Sequence, residues 1–138
     1  MPAKKQPAET DTKAAKPKTG GKKILIVEDE HPLAHALELK FNHEGFETKT
    51  CSNGADALEE ATKIAYDMIL LDLIMPQMDG FTFMEELKAK KKRCKIIVLS
   101  NLGQDEDLVR SKELGAIDYF VKSNTPITDI IKRVKSAL

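Results

Sequence analysis

At 138 residues and 41% hydrophobic composition, the chain is long enough to bury a core and suits one domain. Its 22 basic and 22 acidic residues cancel, which argues against a whole-domain nucleic-acid binder, normally strongly basic. No apolar run approaches the ~18 residues of a membrane span, and the N-terminus lacks the apolar centre of a signal peptide, so a cytoplasmic protein is expected.

The charge is unevenly divided. Residues 1–22 hold Lys4, Lys5, Lys13, Lys16, Lys18 and Lys22 against Glu9 and Asp11, a balance of +4 that leaves −4 on the remainder. This stretch contains no Val, Ile, Leu or aromatic residue. It has too little apolar surface to offset the entropy of ordering, which predicts a disordered tail over 1–22 and a folded unit over 23–138. A solubilising tail is the plain reading; an electrostatic arm for an anionic partner is the functional one.

From residue 23 onward, strand and helix signals alternate five times. Lys23–Val27 is an apolar strand running into Glu28-Asp29-Glu30. Leu33, Ala36, Leu37 and Phe41 recur at helical spacing within Pro32–Glu44, with Pro32 tolerated in a first turn and Gly45 suited to the stop. Glu47–Cys51 predicts a short strand, and Asn53 an N-cap for a helix over Gly54–Lys63. Met68–Leu71 is an apolar run bounded by Asp72 and a Met75-Pro76 turn, the pattern of a strand buried on both faces. A helix from Phe81 to Ala89 follows, with Asp79 as its cap. Lys95–Leu99 runs into Ser100 and precedes a helix from Asp105 to Leu114, stopped by Gly115. Asp118–Val121 runs into Lys122; Thr125 and Pro126 then suit the N-cap and first residue of a last helix with Ile127, Ile130, Ile131, Val134 and Leu138 as its buried stripe.

This alternation predicts an α/β fold, a parallel sheet with helices on both faces. Strand C-termini in such a sheet share one edge, where open α/β sheets place their chemistry. Carboxylates from the first and third strands, a hydroxyl from the fourth and an ammonium from the fifth would surround one point, a set suited to a divalent cation and a phosphoryl group.

The ordered pieces Val27-Glu28-Asp29, Asp72 with Met75-Pro76 and Met78-Asp79-Gly80, Ser100, Gly115-Ala116 and Tyr119-Phe120-Val121-Lys122 resemble the receiver domain of two-component response regulators, the stand-alone chemotaxis type in particular. The resemblance covers residues 23–138. It implies a doubly wound, flavodoxin-like five-stranded sheet of order 2-1-3-4-5 and a phosphorylation-dependent signalling switch. Asp72 matches the phosphoacceptor. Asp29, Asp72 and the Ile74 carbonyl match ligands of Mg2+, and Glu28 the acid that acts on the metal through water. The family often has two aspartates at positions 28 and 29, so Glu28 is a departure whose extra methylene changes reach. Ser100 and Lys122 match the phosphoryl-binding groups, and Ser100 with Tyr119 the switch.

The implied partners are a histidine kinase or phosphotransfer protein as donor and a downstream protein at the face formed by residues 105–138; dimerisation on phosphorylation is left open. Neither direct nucleic-acid binding nor a membrane span is expected. The chain would not be an enzyme beyond promoting its own Mg2+-dependent phosphorylation and dephosphorylation. Alternatives are a receiver fragment of a longer regulator, since the chain ends with the receiver, and a scaffold that works without phosphorylation. An aspartyl phosphohydrolase needs a second acid two residues after its nucleophile, where this chain has Ile74.

The remaining features have plainer readings. His31 and His35 have metal-ligand spacing but suit a solvated helix face, and Lys90–Arg93 suits a helix C-terminus, where cations oppose the dipole. Cys51 and Cys94 are too few for a zinc site and fall on well-separated strands, so two free thiols are expected. Two further departures concern loops. Asn101 stands where many receivers have a small residue, and is expected to narrow access to the site. Ser123 replaces the usual proline after the lysine, so the Lys122–Ser123 bond is expected to be trans.

Overall fold

Each apolar run becomes a strand in the computed structural model, which describes residues 21–138. The expected disordered tail therefore lies outside the described residues, apart from Gly21 and Lys22. The strands are β1 (Lys23–Val27), β2 (Glu47–Cys51), β3 (Met68–Leu71), β4 (Lys95–Ser100) and β5 (Ala116–Val121). They form one sheet in the order β2-β1-β3-β4-β5, with every neighbouring pair parallel. The helices are α1 (His31–His43), α2 (Gly54–Lys63), α3 (Gly80–Ala89), α4 (Asp105–Glu113) and α5 (Ile127–Ala137). This is the order 2-1-3-4-5 that the family resemblance implies.

Alternation along buried strands divides the apolar residues between two cores. Leu25, Val27, Ile69, Leu71, Ile96 and Val98 face one way and pack with Ala57 and Ala61 of α2 and Phe83, Met84 and Leu87 of α3. Ile24, Ile26, Met68, Leu70, Ile97 and Leu99 face the other, against Ala34, Leu37 and Phe41 of α1 and Ile130, Ile131 and Val134 of α5. A strand covered on both faces cannot show polar alternation, which is why these runs are continuously apolar.

Local signals explain most element ends. The Asn53 side chain accepts from the Asp56 amide at 2.8 Å and Asp79 from the Thr82 amide at 2.8 Å, so both expected caps form. Gly45 and Gly115 end α1 and α4 with φ of 98° and 113°. Two boundaries and one helix face differ from expectation. β5 begins at Ala116, two residues early, because an irregularity at Ile96–Ile97 lets Ala116 pair with Ile96. In α1, Ala34 is buried while Ala36 is only half-buried. A 3-10 turn over Lys122–Asn124 separates β5 from α5; the Thr125 hydroxyl turns back to the Val121 carbonyl (2.9 Å), leaving Pro126 as the N-cap.

Both cysteines are free thiols, as expected. Burial raises the Cys51 thiol above its usual range and pushes Cys94 up to about 12. Among the described residues, no helix is long and apolar enough to cross a membrane.

The loop from Asp72 to Asp79 is held down by α3. A Cβ on Gly80 would stand 2.7 Å from the Asp72 carbonyl and 2.8 Å from the Leu73 Cα, both backbone atoms that cannot swing aside. Gly80→Ala should cost about 1–3 kcal/mol through overpacking, read as a lower urea midpoint. Because thiolate is the reactive form, iodoacetamide at about pH 8 should alkylate both cysteines at least tenfold more slowly in the folded than in the unfolded protein.

Candidate phosphoryl and metal site

Register brings the acids together. Val27 pairs with Leu71, and the ladder continues one step as the Asp72 amide donates to the Val27 carbonyl (3.0 Å) and the Glu28 amide to the Cys51 carbonyl (3.0 Å). Glu28 and Asp72 thus leave adjacent strands at the same level. Both are buried, at 2% and 4% exposure. Asp29, one residue on, is the most open of the three. One carboxylate oxygen from each of Glu28, Asp29 and Asp72 lies within 4.8 Å of the others.

Lys122 closes the site from β5. Its ammonium donates to Glu28 Oε2 at 2.8 Å, Asp72 Oδ2 at 3.0 Å and Glu30 Oε2 at 2.7 Å. Burial works against this cation, but the hydrogen bonds to Glu28, Glu30 and Asp72 outweigh it and hold the ammonium well above its ordinary range. Burial dominates at Glu28 and pushes its carboxyl up to about 7, against the opposing hydrogen bonds from Lys122 and the Glu30 amide. The pocket is therefore rich in buried negative charge held by one buried cation.

Asp72 has one oxygen on Lys122, while the other accepts from the Ile74 amide at 3.2 Å, which keeps the Ile74 backbone beside the carboxylate. Ser100 ends β4 fully buried and accepts from the Leu102 amide at 3.3 Å. Tyr119 is half-buried and its hydroxyl donates to the Leu102 carbonyl. Burial first, and then the Asp107 carboxylate, raise that hydroxyl, with the Ser100 side chain acting the other way. Leu102 thus joins Ser100 to Tyr119.

The structure brings Glu28, Asp29, Asp72 and Lys122 together at this edge of the sheet, where Ser100 also ends its strand; Tyr119 joins them through Leu102. His31 and His35 stay apart from it, on an exposed face of α1. Glu28, Asp29 and Asp72 form the one group of potential metal-ligating side chains among the described residues. Glu30 was missed. Its contribution depends on Lys122, 92 residues away, and the only local signal was its place in the Glu28-Asp29-Glu30 run. Asn101 has a further contact: its side chain accepts from the Ser123 amide at 3.1 Å and pins the loop after Lys122. An amide is available there because Ser123 is not proline, and the Lys122–Ser123 bond is trans, as are all described peptide bonds.

Hard carboxylate oxygens suit a hard divalent cation, and the Lys122 ammonium already stands against two of the three acids as a positive charge. The donor set fits such an ion.

The sequence model of the response regulator receiver domain matches residues 24–135. Sporulation initiation phosphotransferase F of Bacillus subtilis is 37% identical over 100 residues, covering 72% of this chain and 81% of that protein. The transcriptional regulatory protein SrrA of Staphylococcus aureus is 39% identical over 115 residues, which cover 83% of this chain but 47% of SrrA, so the chain spans about half of that relative. Among solved structures, the response regulator TrrA of Thermotoga maritima in complex with Mg(2+)-BeF superposes with a TM-score of 0.74 at 33% identity, covering 85% of this chain and 99% of that one. The chain belongs to the receiver-domain family of two-component response regulators, whose general role is phosphorylation-dependent signalling.

Proposed function

We propose that Asp72 is the phosphoacceptor and that the chain is a switch charged by a histidine kinase or phosphotransfer protein. The observation that carries this is the buried Asp72 carboxylate, held by the Lys122 ammonium at 3.0 Å beside a second buried acid. In the transfer, an Asp72 oxygen attacks the phosphorus of a phosphohistidine, the P–N bond breaks, and the imidazole leaves with the electron pair. Attack on a phosphoryl group by a carboxylate brings like charges together, so cations must stand ready.

Mg2+ would be held by Asp29, Asp72 and the Ile74 carbonyl, with Glu28 acting through water, and supplies charge neutralisation on the phosphoryl oxygens. Lys122 supplies the second positive charge, already aimed at Asp72. Ser100 offers a hydroxyl hydrogen to a phosphoryl oxygen, and its neighbours Leu102 and Tyr119 respond to its movement. The chain turns over no separate substrate; the same groups promote phosphorylation and hydrolysis of Asp72 alone.

The output surface is the α4–β5–α5 face. It carries Leu108, Val109 and Ile117 at 38%, 55% and 38% exposure, apolar area that a downstream protein would cover. Tyr119, on β5, is the link from the site to this face. A pre-existing equilibrium between two arrangements, biased by the phosphoryl group, carries the signal.

Asp72→Asn keeps the side-chain shape but removes the nucleophile. It should show no Mg2+-dependent uptake from acetyl phosphate by intact-protein mass, while its circular dichroism stays wild-type; uptake at the wild-type rate rules the assignment out. Lys122→Ala leaves Glu28 and Asp72 buried without their cation. In chelator it should lose about 3 kcal/mol by urea unfolding, the cost of orphaning buried charge, and excess Mg2+ should restore most of the loss.

A further inference from the structure

The opposite edge of the sheet carries a feature that phosphoryl transfer does not use. Lys88, Lys90, Lys91, Lys92, Arg93 and Lys95 place six cations and no acid in eight residues. The rest of the folded unit, residues 23–87 and 96–138, holds ten more acids than bases. All six cations are exposed, and none forms an ion pair among the described residues. Helix ends account for part of the set: Lys88 lies in the last turn of α3 and donates to the Glu113 carbonyl at 3.5 Å, and Lys95 donates to the Ala137 carbonyl at the end of α5. Lys90 is the C-cap, and the chain leaves the helix through Lys91 at φ 58°, so Lys92, Arg93 and Lys95 lie beyond the last turn, where the dipole has faded.

All of the six except Lys90 border an open cavity of about 960 Å³ at the N-terminal ends of β3, β4 and β5. Met84, Leu87, Ile96 and Leu114 supply its apolar floor. The lone lining acid, Asp67, already accepts from the Lys23 amide at 2.8 Å. The chain enters β1 at this same edge through Lys23, the residue whose amide occupies Asp67.

We propose that this groove is a docking site for an acidic peptide segment of a partner protein, with an apolar side chain seated on the floor and flanking carboxylates on the lysine rim. Charge complementarity selects an anion, and the floor selects among anions. Single-stranded nucleic acid needs open aromatic faces for its bases; the one aromatic here, Tyr66, is half-buried with its hydroxyl on Glu60. A bilayer is flat and reaches protruding side chains, whereas this apolar surface is recessed. Strands of four to six residues set the groove roughly 15–20 Å from Asp72, so it is accessible whether or not that residue is phosphorylated. The partner it fits is a tether that holds the receiver before and after the switch.

The test is fluorescence anisotropy on the full chain, unphosphorylated, with a labelled peptide of alternating Glu and Leu. Saturable binding that weakens with salt is expected, with affinity falling at least about tenfold in Lys91→Glu/Lys92→Glu/Arg93→Glu. The three side chains are exposed, so the variant should keep the wild-type urea midpoint. An all-Glu peptide of equal charge should bind more weakly. Unchanged affinity of the triple variant overturns the proposal, as does equal binding of the all-Glu peptide, which would leave charge without a groove. Tighter binding of an equally charged single-stranded oligonucleotide, or of vesicles rich in anionic lipid, assigns the surface to another class of partner and overturns it too.

Discussion

A single ammonium holds the site together. Lys122 Nζ stands within 3.0 Å of two buried carboxylates and 2.7 Å from a third that reaches in from solvent. Glu28 and Asp72 side by side in the interior would repel each other and lose their hydration. One cation makes the pair tolerable without fully compensating it, as the upward pull on Glu28 shows. The pocket is left short of positive charge, which is the state a receptor for a metal ion and a phosphoryl group needs. The same contact ties β5 to β1 and β3 across the sheet, so whatever displaces the ammonium also loosens the edge strand of the output face.

The rest of the architecture serves that geometry. The Val27–Leu71 register, extended one hydrogen bond beyond the regular strands, fixes the relative height of Glu28 and Asp72. A one-step slip would turn Asp72 to the other face of the sheet. Beneath the loop that follows Asp72, α3 comes so close that position 80 has no room for a side-chain carbon. On the β5 side, the 3-10 turn and the Asn101–Ser123 hydrogen bond set where the Lys122 side chain starts. Backbone packing thus places Glu28, Asp72 and Lys122, and none relies on a long unsupported loop.

How much of this was legible beforehand follows from the range of each interaction. The strands were readable because burial on both faces writes itself as short apolar runs, and the polar residue ending each run marked the functional edge. The caps at Asn53 and Asp79 were readable because a cap bonds three residues away. Thr125 misled, since a hydroxyl before a helix serves equally well to close the preceding turn, and the backbone decides which. Glu30 was hidden because its partner is distant in sequence and meets it only through the sheet. The lysine run was visible as charge, but its concavity was not: the cavity is assembled from the starts of three strands and the end of a helix, pieces contributed by residues 66 to 115.

The two ends of the sheet bear opposite charge, with buried acids at one and, at the other, lysines that form no ion pair among the described residues. The molecule therefore has a permanent electric moment directed along its strands. In solution, such a moment turns the protein during the last nanometre of an encounter, within the ~8–10 Å over which fields survive physiological salt. A donor with a cationic surface would arrive facing Asp72, and the acidic peptide proposed above would arrive facing the lysines, before any contact is made. Two partners of opposite charge can then approach one small domain at once without competing for the same direction of attack.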